Sequence, residues 1–197
     1  MSELSLRAIE TGAEAPDFTL PDHRGGNVSL AACDGKYVLL AFHPLAWTPV
    51  CAEQMQTLER HMSMFEKFGA VCFGVSVDPV PTKAAWAKHL GLERLRLLSD
   101  FWPHGEMAAK YGLLRVDGFS ERAVVVLDPQ GVVVYVDVVS PECLPDLKQV
   151  AFFLKDLTKS ILDPNVEIEQ CFTAGGRTVC MPDSRNTGID STAHDRL

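Results

Sequence analysis

The chain has 197 residues, 47% of them hydrophobic, which is enough apolar surface for one substantial core. A formal net charge of −8 argues against nucleic-acid binding, because phosphate recognition draws on a basic face. No apolar run approaches the roughly 20 residues of a membrane helix, and Met1 to Glu10 lacks the basic region and apolar block of a secretory leader, so a cytoplasmic protein away from membranes is expected.

Tyr37 to Phe42 is a short apolar run ending at His43-Pro44, the pattern of a buried strand entering a sharp loop. Thr48-Pro49 then opens a helix, with Thr as N-cap and Pro at the first helical position. Met55, Leu58, Met62 and Phe65 recur along it at helical spacing, and Gly69 stops it. Val71 to Val77 reads as the next strand, broken by Asp78-Pro79. Pro81-Thr82 opens a second helix running to about Leu90, with Gly91 as its stop.

Leu97-Leu98 is a brief strand and Glu106 to Tyr111 a short helix closed by Gly112. Arg122 to Leu127 and Val132 to Val138 flank Asp128-Pro129-Gln130-Gly131, a hairpin signal. A last helix is expected from about Leu144 to Ile161. Strands alternating with helices imply a mainly parallel sheet with helices on its faces. Residues 163–197 are rich in Gly, Thr, Asn, Asp and Arg and poor in large apolar side chains, so they cannot bury enough surface to offset ordering entropy. The expected division is a domain over 1–162 and an extended or partly disordered arm over 163–197.

Six cysteines are present, Cys33, Cys51, Cys72, Cys143, Cys171 and Cys180, and no pair has the Cys-x-x-Cys spacing of zinc knuckles or thioredoxin-type motifs. Cys51 falls in the first turn of the helix opened by Thr48-Pro49. The macrodipole and unpaired N–H groups there favour an anion such as a thiolate, and thiols so placed can have a pKa of roughly 3.5–7.5. The competing reading is a buried cysteine acting as a small hydrophobe. The residues alone leave both readings open.

Pro44-x-x-x-Thr48-x-x-Cys51 resembles the active-site signature of the peroxiredoxins. Ala15-Pro16-Asp17-Phe18 is similar to the family's N-terminal entry, and Val75-Ser76-Val77-Asp78 with Trp86 to its next strand and helix. Ser99-Asp100-Phe101-Trp102-Pro103 with Tyr111-Gly112 resembles the subgroup named after the one-cysteine alkyl hydroperoxide reductase E. Arg122 to Asp128 is similar to the strand carrying the family's arginine, so the resemblance runs from about Ala13 to Lys159.

The resemblance implies a thioredoxin-like α/β fold, a central mixed sheet flanked by helices, with a C-terminal extension. It also implies a thiol-dependent peroxidase needing no metal or organic cofactor. Cys51 would attack a hydroperoxide and become a sulfenic acid. Thr48 and the Cys51 backbone N–H would hold the peroxide oxygens, Arg122 would stabilise the thiolate and the polarised O–O bond, and Pro44 would shield the sulfur. His43 stands where the family more often has Phe or Tyr, giving a pH-sensitive contact near Arg122 or a merely packed histidine. Gln54 stands where many members carry Glu.

Reduction of the sulfenate needs a second thiol. Cys171 or Cys180 in the arm is the expected resolving residue, with an external thiol as the alternative. Cys72 is expected in the core, and Cys33 and Cys143 to be incidental. A homodimer or larger homo-oligomer and a thioredoxin-like or small-thiol reductant are implied as partners. Two other classes compete: a thioredoxin-type reductase, disfavoured by Thr48 in place of its first cysteine, and a metal module using Cys171, Cys180 and His194, whose spacing fits no zinc pattern.

Overall fold

A computed structural model describes residues 7–158. The arm over 163–197, with Cys171, Cys180 and His194, lies outside the described residues, as does the expected end of the last helix. Two three-residue strands, β1 (Thr19–Pro21) and β2 (Asn27–Ser29), form a separate antiparallel hairpin. A short 3-10 turn over Leu30–Cys33 leads into β3 (Tyr37–Phe42). There follow α1 (Pro49–Lys67), β4 (Ala70–Ser76), α2 (Val80–Leu90), β5 (Arg96–Ser99) and α3 (Glu106–Lys110). The hairpin strands β6 (Arg122–Leu127) and β7 (Val133–Val139) and helix α4 (Leu147–Leu157) complete the described fold.

The five-stranded sheet has the order β5-β4-β3-β6-β7. β3–β4 and β4–β5 are parallel, whereas β3–β6 and β6–β7 are antiparallel. The sheet is therefore mixed in equal parts rather than mainly parallel. The crossover helices α1 and α2 make the parallel half, and the Asp128–Gly131 turn makes the antiparallel half, its Gly131 at φ 79°.

Strand parity sorts the core into two layers. Leu39 and Ala41 of β3 and Val124 and Val126 of β6 pack with α1, α2 and α4. Val38, Leu40, Phe42, Ala123 and Val125 pack with the β1–β2 hairpin and α3. Central strands buried on both faces read as unbroken apolar runs, as β3 and β6 do. Close approach of α1 to the sheet depends on Gly74, where an added Cβ would lie 2.5 Å from Met55 Sδ and 2.7 Å from Leu97 Cδ2.

The last helix starts later than expected, at Leu147, where the Asp146 carboxylate accepts from the backbone N–H groups of Lys148 and Gln149, and its Leu157 is exposed. Among the described residues no helix is long and apolar enough to cross a membrane.

Candidate active site

Topology brings chemistry to one end of the sheet. Parallel strands β3, β4 and β5 end at Phe42, Ser76 and Ser99, and antiparallel β6 begins at Arg122 beside them, with Ala123 opposite Phe42. The loops after β3, β4 and β5 therefore open at the carboxyl edge of the parallel strands, the usual place for a site in such sheets. Arg122 shares strand parity with Val124 and Val126, so its side chain points to the layer that α1 covers.

Cys51 is fully buried in the first turn of α1. Arg122, with 1% exposure, donates from Nη2 to Cys51 Sγ at 3.3 Å. The rest of its fork is also occupied. Nη1 donates to Gln54 Oε1 at 2.5 Å, while Nε and Nη2 donate to the Pro141 carbonyl at 3.0 and 2.8 Å. Gln54 in turn donates from Nε2 to the Phe42 carbonyl at 3.3 Å. A planar cation held at this many points presents one N–H to the sulfur in a fixed direction. Gln54 sits three residues after Cys51 on the same helix face. The Pro141 carbonyl, on the loop after β7, had no signature in the sequence.

The loop from His43 to Thr48 joins β3 to α1. Thr48 is the N-cap residue of α1 in extended conformation, but its side chain does not cap the helix. Its hydroxyl instead donates to the Leu45 carbonyl at 3.0 Å, which leaves the oxygen lone pairs as acceptors. Trp47 precedes it at φ 68°, a conformation costly for a bulky residue, and packs its exposed ring at a tilt against His89 with centroids 5.1 Å apart. Pro44 is half-buried in the same loop.

His43 is fully buried against Trp86, ring centroids 5.2 Å apart, and neither ring nitrogen has a hydrogen bond of ordinary geometry. Burial pushes its pKa well below the ordinary value, and the positive charges of Lys83 and Arg122 push the same way, against a weaker pull from the Leu45 backbone. It is thus a packed, neutral imidazole. The unfolded chain binds a proton at this residue below about pH 6.5 that the folded chain refuses, so stability falls on acidification by up to about 1.4 kcal/mol per pH unit. His43→Phe is expected to flatten that slope in urea unfolding between pH 7 and 5, and an unchanged slope would count against a neutral His43.

A second buried polar group adjoins the loop. Lys83, fully buried on α2, donates from Nζ to Ser76 Oγ at 2.5 Å. Ser76 Oγ donates to Asp78 Oδ2 at 2.7 Å, and the same oxygen accepts from the Ala46 backbone N–H at 2.8 Å. In the sequence Ser76 and Asp78 belong to a family-like segment without an assigned role and Lys83 is unmarked, though it shares the buried helical stripe of Trp86 and Ala87. Among the other described cysteines, Cys72 is in the core as expected, its thiol pushed far up by burial. Cys33 lies in the second core layer, and burial raises its thiol too. Cys143 is half-buried on the loop after β7. Among the described residues no cluster of His, Cys, Asp and Glu could hold a metal ion.

A thioredoxin-like sheet carrying a guanidinium-bound cysteine at a helix start defines a thiol-redox protein. Comparison with known proteins narrows the class. Residues 11–136 match the AhpC/TSA family. Alkyl hydroperoxide reductase E of Mycobacterium tuberculosis is 38% identical over 135 residues, spanning 68% of this chain and 88% of that protein. The reduced 2-Cys peroxiredoxin of Plasmodium vivax superposes with a TM-score of 0.72 at 26% identity, over 80% of this chain and 89% of that one. Peroxidoxin BcpB from Mycobacterium tuberculosis gives 0.67 at 29% identity, over 76% and 98%. The chain belongs to the AhpC/TSA family, the peroxiredoxins, and is a thiol-dependent peroxidase.

Proposed function

We propose that Cys51 is the peroxidatic nucleophile, reducing hydrogen peroxide and organic hydroperoxides. Its thiolate attacks the distal peroxide oxygen in line. An S–O bond forms, the O–O bond breaks, and the leaving oxygen takes a proton and departs as water or alcohol, leaving a sulfenic acid. Arg122 directs positive charge at the sulfur and the lengthening O–O bond. The Thr48 hydroxyl oxygen, its own proton engaged by Leu45, accepts from the peroxide O–H, and the Cys51 backbone N–H faces the other oxygen. Pro44 screens the sulfur from bulk water. The observation that carries this reading is the 3.3 Å contact of Arg122 Nη2 with Cys51 Sγ. Similarity to a protein named for alkyl hydroperoxides favours organic substrates alongside hydrogen peroxide.

Cys51-SOH is reset by a thiol of Cys171 or Cys180, giving a disulfide and water, and the disulfide is reduced by a thioredoxin-like or small-thiol partner. A sulfur with no exposed surface requires the first turn of α1 to open before another thiol reaches it. The catalytic domain spans 1–162 with an arm over 163–197, working as a homodimer or larger assembly in the cytoplasm. One equivalent of peroxide followed by intact-mass and peptide mapping tests the cycle. The expected product has lost two hydrogens, with the Cys51 peptide joined to an arm peptide. Gain of one oxygen on Cys51 would assign the one-cysteine cycle instead, and an unaltered Cys51 would remove the whole reading.

A further inference from the structure

The buried lysine beside the active-site loop has no part in the chemistry described so far. We propose that Lys83 is a positioning residue for peroxide reduction: its ammonium, through Ser76 and Asp78, fixes the Ala46 backbone and so the loop that presents Thr48 and Cys51. This rests on the assignment of Cys51 as nucleophile.

The geometry is a single chain of donors. Lys83 Nζ donates to Ser76 Oγ, Ser76 Oγ to Asp78 Oδ2, and the Ala46 N–H closes on the same carboxylate oxygen. Ala46 lies two residues before Thr48. Its N–H is tied to the segment after β4, and its neighbour Trp47 holds a strained left-handed conformation. That conformation persists only where the surroundings over-determine it. An ammonium can only donate, so a protonated Lys83 obliges the Ser76 proton to point at Asp78. A neutral amine has a lone pair and can accept the Ser76 proton instead, which takes the serine away from Asp78 and unlocks the loop.

The titratable groups around Lys83 come from every neighbouring element: Asp78 after β4, Asp100 after β5, Cys51 on α1, His43 after β3 and His23 in the β1–β2 turn. Burial pulls the Lys83 ammonium down to about 7, against the opposing pull of Asp78, Asp100 and Cys51. The chain therefore switches near neutral pH. A lysine buried merely to fill space would be better replaced by an apolar side chain of similar volume. The cost of burying it matches a role in the site.

The test is the single-turnover rate constant of the reduced full-length protein with hydrogen peroxide between pH 6 and 9. For wild type it should fall about fivefold from pH 7 to 9, as the ammonium is lost. Lys83→Arg, whose cation does not titrate in this range, should stay level over the same interval. Lys83→Met should lie about tenfold below wild type at pH 6 and meet it near pH 9, a tenfold change being about 1.4 kcal/mol in barrier. A wild-type constant that does not fall, or a parallel fall in Lys83→Arg, overturns the proposal, and the first of these needs no variant to fold. A cysteine control keeps the two readings apart: Cys51→Ser with wild-type turnover would refute the nucleophile assignment, whatever Lys83 does.

Discussion

Cys51→Ser is expected to abolish peroxide turnover, lowering the rate by at least about three orders of magnitude, while leaving the fold close to wild-type stability. The reaction needs a sulfur that can ionise near neutral pH and then accept an oxygen atom, and a serine hydroxyl does neither. Packing changes little, because oxygen is smaller than sulfur and the surrounding layer of Met55, Leu58 and Ala46 is otherwise complete. The buried hydroxyl also keeps a partner, since Arg122 Nη2 can donate to it as it donates to Cys51 Sγ. Peroxide consumption with excess small thiol, set beside urea unfolding of the same sample, separates lost chemistry from lost structure. Turnover within tenfold of wild type would move the nucleophile to another cysteine.

Much of the fold that positions this site was legible because it rests on long, uniform signals. β3 and β6 are apolar runs buried on both faces, and α1 carries its apolar stripe between a Thr48-Pro49 start and a Gly69 stop at φ 69°. The β1–β2 hairpin left no comparable trace. Its strands are three residues each, and it is held in place by Asp22, which accepts from Gly26 N–H at 2.8 Å and from Arg96 Nε at 2.6 Å. The first tie closes a tight turn and the second joins residues distant in sequence, and neither gives a periodicity.

The site divides along the same line. Cys51, Thr48 and Arg122 stood out because the family motif marks them, and strand parity alone directs Arg122 toward α1. Gln54 was visible as a residue but not as the partner of Arg122, because that pairing spans helix and strand. The Pro141 carbonyl is a backbone acceptor, and no side-chain pattern announces one. Lys83 carried a faint signal, a lysine on the buried stripe of a helix. Its meaning depends on Ser76, the last residue of β4, and Asp78, just after it, meeting Lys83 across the turn that joins β4 to α2.

Arg122→Met should lower the peroxide rate constant by about a hundredfold to a thousandfold, the range for removing a donor aimed at developing negative charge. It should also destabilise the fold by about 2 kcal/mol, because the Pro141 carbonyl and Gln54 Oε1 lose their buried donors. Arg122→Lys distinguishes charge from geometry. Lysine restores a cation, but a single ammonium cannot span Gln54, Pro141 and Cys51 as the guanidinium fork does. If fixed direction matters as much as charge, the lysine variant remains at least about tenfold below wild type even where its stability recovers. If net charge alone sets the reactivity of the sulfur, the lysine variant returns to the wild-type rate. The peroxide rate constants of the two variants, read with their unfolding curves, decide between these, and a wild-type rate in Arg122→Met would show that the guanidinium does no more than tie the Pro141 loop to α1.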